Sequence, residues 1–576
     1  MIAKRYYCGE PNEKMVNKTI CIKGWVKKIR KMGSITFLDV ADRYGTIQVV
    51  VSEDFNLQNL TRESVVSIDG VVVLRKTPNE KLKTGKIELK CTKLDVLSYA
   101  KTTPLIVEDE TDALEDVRLK YRYLDLRRDV IRNKIIFRSK FIAAIREFLI
   151  KNDFIDVETP TLAKPTPEGA RDYVVPTRNG PNQFFALPQS PQIFKQLLMV
   201  AGFNRYFQIA KCWRDEDLRA DRQPEFTQLD VEMSFIKEKD IMKMTEKVFK
   251  YAIKKTLGKE IKTPFRVMEY NECMEKYGVD KPDLRYDLII NDLSSYFEGT
   301  NFQIFSKILR DKGVVKGFAI KNILVSKNDF NTLQKYATDK GLQIAYLAFD
   351  NNKIVDGSIK NVIETEKALS AFKHFGFEKG TLILCAGKNT QVNVTLGAAR
   401  IATNNIYKFA NPDELAFTWV INWPLFEFDD KSNRYQAAHH PFTSPAIKSL
   451  KDFDTKMEKA KARAYDIVLN GYEVGGGSIR ITNADVQKRM FKAIGLTEQQ
   501  AQSKFGYLLN AFEYGVPPHG GIAVGLDRLV MILSKAETIR DVIAFPKNSH
   551  GVDLMLDAPS AASVEGLDDL FLQVKK

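Results

Sequence analysis

Two segments between residues 205 and 235 alternate between side chains suited to a core and side chains suited to chemistry. The first, Phe207–Asp215, places bulky apolar side chains on one face, and small side chains with Arg214 on the other. The second, Phe226–Met233, carries a ring, an amide and the carboxylates of Asp230 and Glu232 on one face. The pattern predicts a hairpin with one core face and one chemical face. A salt-bridged surface hairpin is the alternative that the pattern alone leaves open.

The connection between these strands, residues 216–225, is almost entirely polar. It is too long for a tight turn, which predicts a loop that closes over a ligand.

A helical pattern begins at Asp129, because apolar residues recur from Ile135 to Leu149 at spacings of 7, 3 and 4. We expect this helix to end near Asn152. The segment Phe154–Pro160 is then predicted to be extended and to stop at its proline.

Five strand-like runs separated by glycines or short polar loops fill residues 19–97. They are Thr19–Val26, Ile35–Ala41, Thr46–Val51, Val65–Leu74 and Ile87–Leu97. Five short strands in so small a segment predict a closed barrel, and the OB-fold is the commonest such barrel that handles nucleic acid.

The outer face of this barrel has the side chains of a base-stacking platform. Alternation puts Phe37 opposite Leu38 and Gln48 opposite Ile47. The preceding loop is predicted to hold the basic residues Lys27, Lys28, Arg30 and Lys31. An exposed ring, an amide and basic loops suit single-stranded RNA. A core position for Phe37 is the alternative.

Some 240 residues separate Glu232 from the next strand-like segment at Tyr472–Ile481, too many for a connection within one domain. The chain is therefore predicted to be α+β, with a five-stranded barrel at its N-terminus and an inserted α+β domain. The predicted boundaries are 1–103 for the barrel, 104–128 for a hinge, 129–282 and 413–576 for the main domain with a C-terminal extension, and 283–412 for the insert.

The charge composition of the chain indicates a polyanionic partner. The formal net charge of the chain is +14, and residues 1–100 hold 18 Lys and Arg against 11 Asp and Glu. Nucleic acid is the leading candidate, although a solvated basic surface is an equal alternative on charge alone.

Neither a membrane span nor a signal peptide is expected, because the chain lacks a run of 18 apolar residues and an apolar start. None of the six cysteines forms a C-x-x-C pair. We therefore expect a reduced, cytoplasmic setting and no structural zinc.

Six motifs follow one another along the chain, and their combination in this order is highly specific for one protein family. They are Thr166-Pro-Glu-Gly-Ala-Arg-Asp-Tyr173, Gln189-Ser-Pro-Gln-Ile-Phe-Lys195, Arg214-Asp-Glu216 with Gln223-Pro-Glu-Phe-Thr-Gln228, His439-His-Pro-Phe-Thr-Ser-Pro445, Gly471-Tyr-Glu-Val-Gly-Gly-Gly-Ser-Ile-Arg480 and Gly525-Leu-Asp-Arg528. Over nearly its whole length the chain resembles the bacterial aspartyl family of class II aminoacyl-tRNA synthetases. Its catalytic domain is then an antiparallel sheet flanked by helices. Phe154–Pro160 resembles the first class II motif, which implies a homodimer through residues 129–160.

The resemblance implies activation of L-aspartate with ATP and transfer to tRNA, with Mg²⁺ as cofactor. Arg214 would hold the α-phosphate and the substrate carboxylate, Arg528 the γ-phosphate, and Phe226 the adenine. Arg214, Glu216 and Arg528 are the implied catalytic residues. Further nucleotide contacts are implied at Asp215, Gln223, Glu473, Gly525, Leu526 and Asp527, and metal ligands at Asp466 and Glu473, with Glu216 a weaker candidate.

Arg480 and Lys195 would bind the side-chain carboxylate of aspartate, with His439 nearby. The substrate ammonium would meet Glu168, Ser190, Gln192 and Asp230, and the anticodon would meet Arg30, Phe37 and Gln48.

Alternatives remain. A relaxed ligase would charge both aspartate and asparagine tRNAs, and a non-catalytic tRNA-binding paralogue would lack one of the key residues Arg214, Arg528 and Glu473, which are all present. A lysyl ligase is disfavoured, because Arg480 and Lys195 would repel a lysine side chain.

Overall fold

A computed structural model describes residues 4–165, 169–430 and 433–575. The chain forms two compact units, residues 4–132 with 554–556 and residues 133–553 with 557–575. The segment 104–128, predicted as a hinge, belongs to the first unit.

The first unit contains the predicted barrel. Its strands are β1 (Lys4–Tyr6), β2 (Thr19–Met32), β3 (Ile35–Asp42), β4 (Gly45–Ser52), β5 (Val65–Leu74) and β6 (Ile87–Ser98). They lie in the order β1-β2-β3-β4-β6-β5, and pairing of β2 with β5 closes the barrel. Alternate side chains such as Ile22, Leu38 and Ile68 fill its core. The five predicted strands are confirmed, and β1 adds a short sixth.

One part of the barrel prediction was wrong. Lys27, Lys28, Arg30 and Lys31 lie within β2 rather than in a loop. The β2–β3 ladder runs on to Met32 opposite Ile35, so the basic residues are held in extended backbone. Alternation therefore decides which of them face outward.

Three helices follow the barrel. They are α1 (Glu115–Lys120), α2 (Arg122–Asp125) and α3 (Asp129–Ile150). The predicted helix at 129 is confirmed, two residues shorter than expected. Phe141, Ile145 and Leu149, four residues apart, form its most buried stripe.

The second unit begins its main sheet before the insert. The strands of this part are β7 (Ile155–Asp156), β8 (Val174–Pro176), β9 (Phe184–Ala186), β10 (Arg205–Trp213), β11 (Glu225–Ser234) and β12 (Arg266–Glu269). Of these, β8 and β9 form a separate two-stranded sheet. The helices are α4 (Gln192–Val200), α5 (Glu238–Leu257) and α6 (Tyr270–Tyr277).

The predicted insert contains its own sheet. Its strands are β13 (Asn291–Asp292), β14 (Val314–Lys321), β15 (Ile344–Asp350), β16 (Lys353–Gly357) and β17 (Gly380–Gly387), in the order β13-β14-β17-β15-β16. Its helices are α7 (Gln303–Arg310), α8 (Lys327–Thr338), α9 (Thr365–Lys373) and α10 (Asn389–Tyr407). Alternate side chains of β14, β15 and β17 contribute to two separate hydrophobic clusters, as expected for a sheet buried on both faces.

The chain then returns to the main sheet. The strands of this part are β18 (Phe417–Ile421), β19 (Phe426–Asp429), β20 (Arg434–Ala437), β21 (Ala464–Leu469), β22 (Tyr472–Ile479) and β23 (His519–Gly525). Of these, β19 and β20 form a separate two-stranded sheet. The helices are α11 (Ala484–Ala493), α12 (Glu498–Phe512), α13 (Leu526–Leu533) and α14 (Val564–Asp568). The main sheet has the order β12-β18-β21-β22-β23-β11-β10-β7, antiparallel except where its end strands β12 and β7 pair.

Glycine is required where β22 meets β23. A Cβ on Gly477 would lie 2.0 Å from the carbonyl oxygen of Gly521. The glycine run therefore brings two backbones together at the centre of the sheet. Within the described ranges, no helix is long and apolar enough to cross a membrane.

Arg400 of α10 is fully buried beside the insert sheet. Its guanidinium lies between the rings of Tyr277 and Tyr286, at 4.8 and 4.1 Å. It donates to the carbonyl oxygens of Asp283, Tyr286 and Leu288 at 2.7–3.0 Å. This single side chain therefore fixes the segment that enters the insert.

We expect Arg400→Met to lower the free energy of unfolding by about 3 kcal/mol, because buried carbonyl groups lose a charged donor. Urea unfolding measures this change. Arg310→Met, at an exposed position of α7, should change it by less than about 0.5 kcal/mol. Equal midpoints for Arg400→Met and the parent chain would contradict this role.

Candidate active site

The predicted hairpin is present, and its two faces differ as the alternation indicated. β10 and β11 pair antiparallel, with Ala210 opposite Gln228. Leu229 and Val231 lie in the hydrophobic core of the unit, while Phe226 and Gln228 line a cavity. The strand pair thus holds the chemical side chains on a rigid, core-backed support.

A first cavity of about 170 Å³ lies over the start of β11. The guanidinium of Arg214 lies over the ring of Phe226, 5.0 Å from its centre, and Arg214 Nε has no hydrogen-bond partner. Arg528 donates to the carbonyl oxygen of Glu473 at 2.6 Å and pairs with Asp221 at 3.1 Å. Two arginines and a ring suit a nucleotide with its phosphates.

The loop 216–225 is tethered at several points in this structure. Arg222 pairs with Glu216 at 3.3 Å, and the carbonyl of Ala220 accepts from the amide of Ile539 at 3.0 Å. The side-chain amide of Gln223 exchanges two hydrogen bonds with the backbone of Lys547, at 3.0 and 2.8 Å. The loop therefore covers the first cavity with its side chains already in place.

A second cavity of about 530 Å³ shares its wall with the first. Arg214, Glu216 and Glu473 line both cavities. A ligand in one cavity can therefore meet a ligand in the other at Arg214.

Lys195 and Arg480 line the second cavity, and two buried carboxylates lie behind them. Lys195 of α4 lies 2.6 Å from Asp230 and 3.4 Å from Glu232. Arg480, directly after β22, binds both oxygens of Glu232 at 2.9 and 3.0 Å. All four side chains are almost completely buried. We call these four residues the buried charge network.

The network controls the ionisation of its carboxylates. Burial raises the pKa of Glu232, but Arg480 and Lys195 outweigh burial and hold that pKa at about 2. For Asp230 burial outweighs Lys195, and the pKa of that carboxyl is raised. Glu232 is therefore the anion that keeps Arg480 in place.

Two neutral histidines border this network. Burial and the charge of Arg480 lower the pKa of His439 to about 4, and also lower the pKa of His440 well below its ordinary value. The Nδ1 atom of His440 accepts from the amide of Phe442 at 3.2 Å, and its Nε2 atom lies 2.7 Å from Arg480. The ring of His439 packs edge-on against Trp423. Neither ring adds a cation at neutral pH.

Asp466 and Glu473 both line the second cavity. Burial, together with the negative charge of Glu473, raises the pKa of Asp466 well above its ordinary value. The Oδ1 atom of Asp466 is buried without a hydrogen-bond partner. An orphaned carboxylate oxygen beside a second carboxylate suits a divalent cation that arrives with phosphate ligands. No cluster of three or more potential metal ligands occurs among the described residues.

The structure brings most of the predicted site residues to these cavities. Gln223, Phe226, Gly525 and Arg528 line the first, and Ser190, Gln192, Lys195, His439 and Arg480 line the second. Glu168 lies outside the described residues.

Three predicted nucleotide contacts have other partners. Asp215 pairs with Arg171 at 2.6 Å. Leu526 is fully buried in the hydrophobic core, so its side chain does not reach the ligand. Asp527 accepts from the amide of Thr227 at 2.6 Å and pairs with Arg138, which fixes α13 against β11. Asp527 nevertheless lines the first cavity, so nucleotide contact by Asp527, like that by Asp215, stays a prediction.

Sequence reasoning missed three partners of Arg480. Alternation puts Glu232 on the chemical face with Asp230, but it predicts no role for Glu232. His439 is a predicted site residue, whereas His440 is not. Ser478 accepts from Arg480 at 2.7 Å. Of these three partners, only Glu232 could have been found from the sequence, because it shares one face of β11 with Asp230.

The barrel brings its three predicted contacts together. Arg30 lies opposite Phe37 across the β2–β3 pair, and donates to Asp39 and Gln48, both at 2.9 Å. Phe37 is half-buried, and Gln48 is buried. Gln48 also accepts from Arg75 and donates one N–H to Glu88, so a base that needs the oxygen of Gln48 would have to displace an arginine.

A larger cavity of about 1050 Å³ lies elsewhere, along α5 and β12. Apolar side chains, lysines, three glutamates and Arg463 are among the residues that line it, and it contains none of the predicted site residues. The two smaller cavities remain the candidate active site, because the convergent charged groups are there.

Comparison with known families agrees with this geometry. The family model described as tRNA synthetases class II (D, K and N) matches residues 114–549. The chain belongs to the class II tRNA synthetases. A second model, the OB-fold nucleic acid binding domain, matches residues 20–97 of this synthetase.

Curated relatives of this class II synthetase match it end to end. A protein of Ureaplasma parvum, named aspartate–tRNA ligase, is 49% identical over 99% of this chain and 100% of its own length. One of Malacoplasma penetrans with the same name is 50% identical over 99% of each chain. A Geobacillus relative, 45% identical over 100% of this chain and 98% of its own, is named aspartate–tRNA(Asp/Asn) ligase.

Solved structures support the fold of the synthetase. The asparaginyl-tRNA synthetase of Pyrococcus horikoshii with asparaginyl-adenylate aligns over 95% of this chain and 98% of its own, with a TM-score of 0.59 and 19% identity. The aspartyl-tRNA synthetase of Entamoeba histolytica gives 0.58 and 19%, over 95% and 92%. At these identities the likeness concerns the fold alone.

We expect Glu232→Gln to lower the free energy of unfolding by about 3–5 kcal/mol, because it leaves two buried cations with one carboxylate. The depressed pKa of Glu232 stabilises the fold above its ordinary pKa of 4.5, and this contribution disappears as pH falls toward about 2. The difference between the variant and the parent, measured by urea unfolding, should therefore shrink below pH 4.5.

Glu225→Gln is the matched control in the same strand. Glu225 pairs at 3.1 Å with Lys547 and is partly exposed, so its loss should cost less than about 1 kcal/mol. Equal effects of the two substitutions would contradict the role of Glu232.

Proposed function

We propose that this synthetase is an aspartate–tRNA ligase. It activates L-aspartate with ATP, releases pyrophosphate, and transfers aspartate to the 3′ end of its tRNA. The buried cations Lys195 and Arg480 carry the proposal, because they border a cavity that adjoins the one whose two arginines suit phosphates. The printed names of the curated relatives support it.

Activation needs the α-phosphorus of ATP to meet a substrate carboxylate in line, with positive charge on the phosphates. Arg214 lies where the two cavities meet, so it is suited to hold both reacting groups. Its unpartnered Nε leaves a donor for them. Arg528 would neutralise the γ-phosphate at the far side of the first cavity, and Phe226 would stack on the adenine.

Selection of aspartate follows from the charges. A side-chain carboxylate would be bound beside Arg480 and Lys195, while Asp230, Gln192 and Ser190 would meet the ammonium. The Oδ2 atom of Asp230 is buried without a partner and can accept a hydrogen bond from the ammonium, whereas the unpartnered Nε2 atom of Gln192 is a donor and would suit a substrate oxygen. Asparagine would bring the ammonium without a side-chain carboxylate, so the charges of the pocket would no longer balance, which corresponds to roughly 10⁴-fold rejection.

Asp466 and Glu473 would hold Mg²⁺ together with the ATP phosphates. Bound there, Mg²⁺ would neutralise charge that develops on the phosphate oxygens. Glu216, which lines both cavities, is a further candidate ligand.

A homodimer through residues 129–160 is part of the proposal. β7 ends the main sheet, and Ile155 on it is 46% exposed, so this edge is open to a second copy. Because charging of tRNA serves translation, we also propose a cytoplasmic location.

A relaxed ligase that charges both aspartate and asparagine tRNAs is the second candidate. It is favoured by the name of the Geobacillus relative. A non-catalytic paralogue is disfavoured, because Arg214, Glu473 and Arg528 all line the first cavity.

Aspartate should drive ATP–pyrophosphate exchange, and asparagine and lysine should not. Arg480→Leu should reduce aspartate-dependent exchange to background, because the cation that faces the side-chain carboxylate is lost. Arg463→Leu is the matched control, since Arg463 pairs with Glu238 at 2.6 Å and lines the other, larger cavity. Exchange driven by asparagine or lysine alone would refute the assignment, and full activity of Arg480→Leu would refute the pocket.

Charging of two purified transcripts distinguishes the two candidate functions. We expect the transcript with an aspartate anticodon to accept aspartate and the transcript with an asparagine anticodon to remain uncharged. Comparable charging of both would establish the relaxed form. If neither transcript accepts aspartate, the chain is not a ligase of this type.

A further inference from the structure

An aromatic–arginine cluster on the barrel has no part in the function described above. We give this name to Arg5, Tyr7, Arg43 and Tyr44. The two tyrosine rings lie 4.2 Å apart, and each is about 40% exposed. The guanidinium of Arg43 lies 4.6 Å from the centre of the Tyr44 ring, and that of Arg5 lies 5.7 Å from the Tyr7 ring. Four exposed side chains therefore form one continuous surface.

The backbone beneath the cluster is tightly fixed. Asp42 accepts from the amides of Cys8 and Tyr44 at 2.9 and 2.8 Å, which joins the segment after β1 to the β3–β4 turn. A Cβ on Gly9 would lie 2.0 Å from the carbonyl oxygen of Tyr44. The turn also needs Gly45, whose φ is +149°. The rings are therefore positioned in advance of any ligand.

The arginines of the cluster form no ion pair in the described ranges, and the nearby charge of Asp42 acts only weakly on Arg43. Both oxygens of Asp42 are used by backbone amides, and Glu10, the next acidic group, accepts from the amide of Tyr7 at 2.8 Å. Within the part of the chain that the structure describes, neither Arg5 nor Arg43 has a carboxylate within ion-pair distance. Arg43 donates one N–H to the Tyr44 hydroxyl, and the remaining N–H groups of a guanidinium held against a ring still point outward.

The cluster is separate from the proposed base contacts. Phe37 and Asp42 lie five residues apart on β3, about 17 Å in extended backbone. Arg30 and Phe37 are near the β2–β3 turn, whereas the cluster is at the opposite end of β3. An RNA whose loop binds at Phe37 can also contact the aromatic–arginine cluster only if its stem lies along the barrel.

We propose that the aromatic–arginine cluster is a second RNA contact of the barrel, which binds phosphates of the tRNA stem next to the anticodon loop. The proposal rests on the proposed function. Arginine forks match phosphate oxygens bidentately, and RNA stems are recognised through their backbone rather than their sequence. The tyrosine hydroxyl groups supply further donors at the same edge.

Binding of two RNAs to the full-length double variant Arg5→Ala/Arg43→Ala tests this contact. We expect the Kd for a full-length transcript with the aspartate anticodon to rise about tenfold, and the slope of log K against log salt to fall by about one per lost phosphate contact. The Kd for a single-stranded oligonucleotide with the anticodon-loop sequence should stay unchanged.

Lys86→Ala/Lys93→Ala removes the same charge from the same barrel and serves as the control. Both lysines are already paired, Lys86 with Glu13 at 3.3 Å and Lys93 with Asp95 at 2.7 Å. Its effect on transcript binding should be less than about twofold. Tyr44→Phe should keep most of the binding, and Tyr44→Ala should lose part of it.

Equal losses in the two double variants would overturn the proposal, because only overall charge would then matter. Loss of oligonucleotide binding in Arg5→Ala/Arg43→Ala would also overturn it, since the cluster would then belong to the base-contact site. Aspartate-dependent ATP–pyrophosphate exchange, which needs no tRNA contact, should remain unchanged in this variant. Absence of exchange in the parent chain would instead reject the ligase function, independently of the RNA-binding result.

Discussion

The buried charge network is the interaction on which the candidate site depends. Lys195, Asp230, Glu232 and Arg480 come from α4, β11 and the end of β22, and Glu232 and Arg480 are 248 residues apart in sequence. Burying four charges is costly, and the cost is offset only while each charge keeps its partner. The pocket therefore forms only when α4, β11 and the end of β22 are correctly assembled. Loss of any one residue of the network leaves another buried charge without its partner.

The network also explains how a cationic pocket can exist without a ligand. Two carboxylates neutralise two cations, so the empty site is balanced. A substrate with an anionic side chain and a cationic ammonium group brings one charge of each sign, and the balance is kept. The neutral histidines beside Arg480 add hydrogen-bonding capacity without disturbing it.

Periodicity was sufficient to predict the barrel strands and the hairpin, because each is set by local alternation of side chains. It was insufficient where a distant partner decides the role of a residue. Asp527 resembles a nucleotide contact in its motif, yet Arg138 and the Thr227 amide occupy its carboxylate. The amide of Gln48 is similarly shared among Arg30, Arg75 and Glu88. The length of β2 was underestimated because lysines and arginine resemble a loop, while the ladder to β3 holds them in a strand.

A crystal structure of the protein with a non-hydrolysable aspartyl-adenylate analogue tests most directly whether the buried charge network selects the substrate. We expect the side-chain carboxylate of the analogue to lie about 3 Å from both Arg480 and Lys195, with Glu232 still bound to Arg480. A carboxylate that lies away from both cations, with the buried charge network unchanged, would contradict the claim that this network selects the substrate.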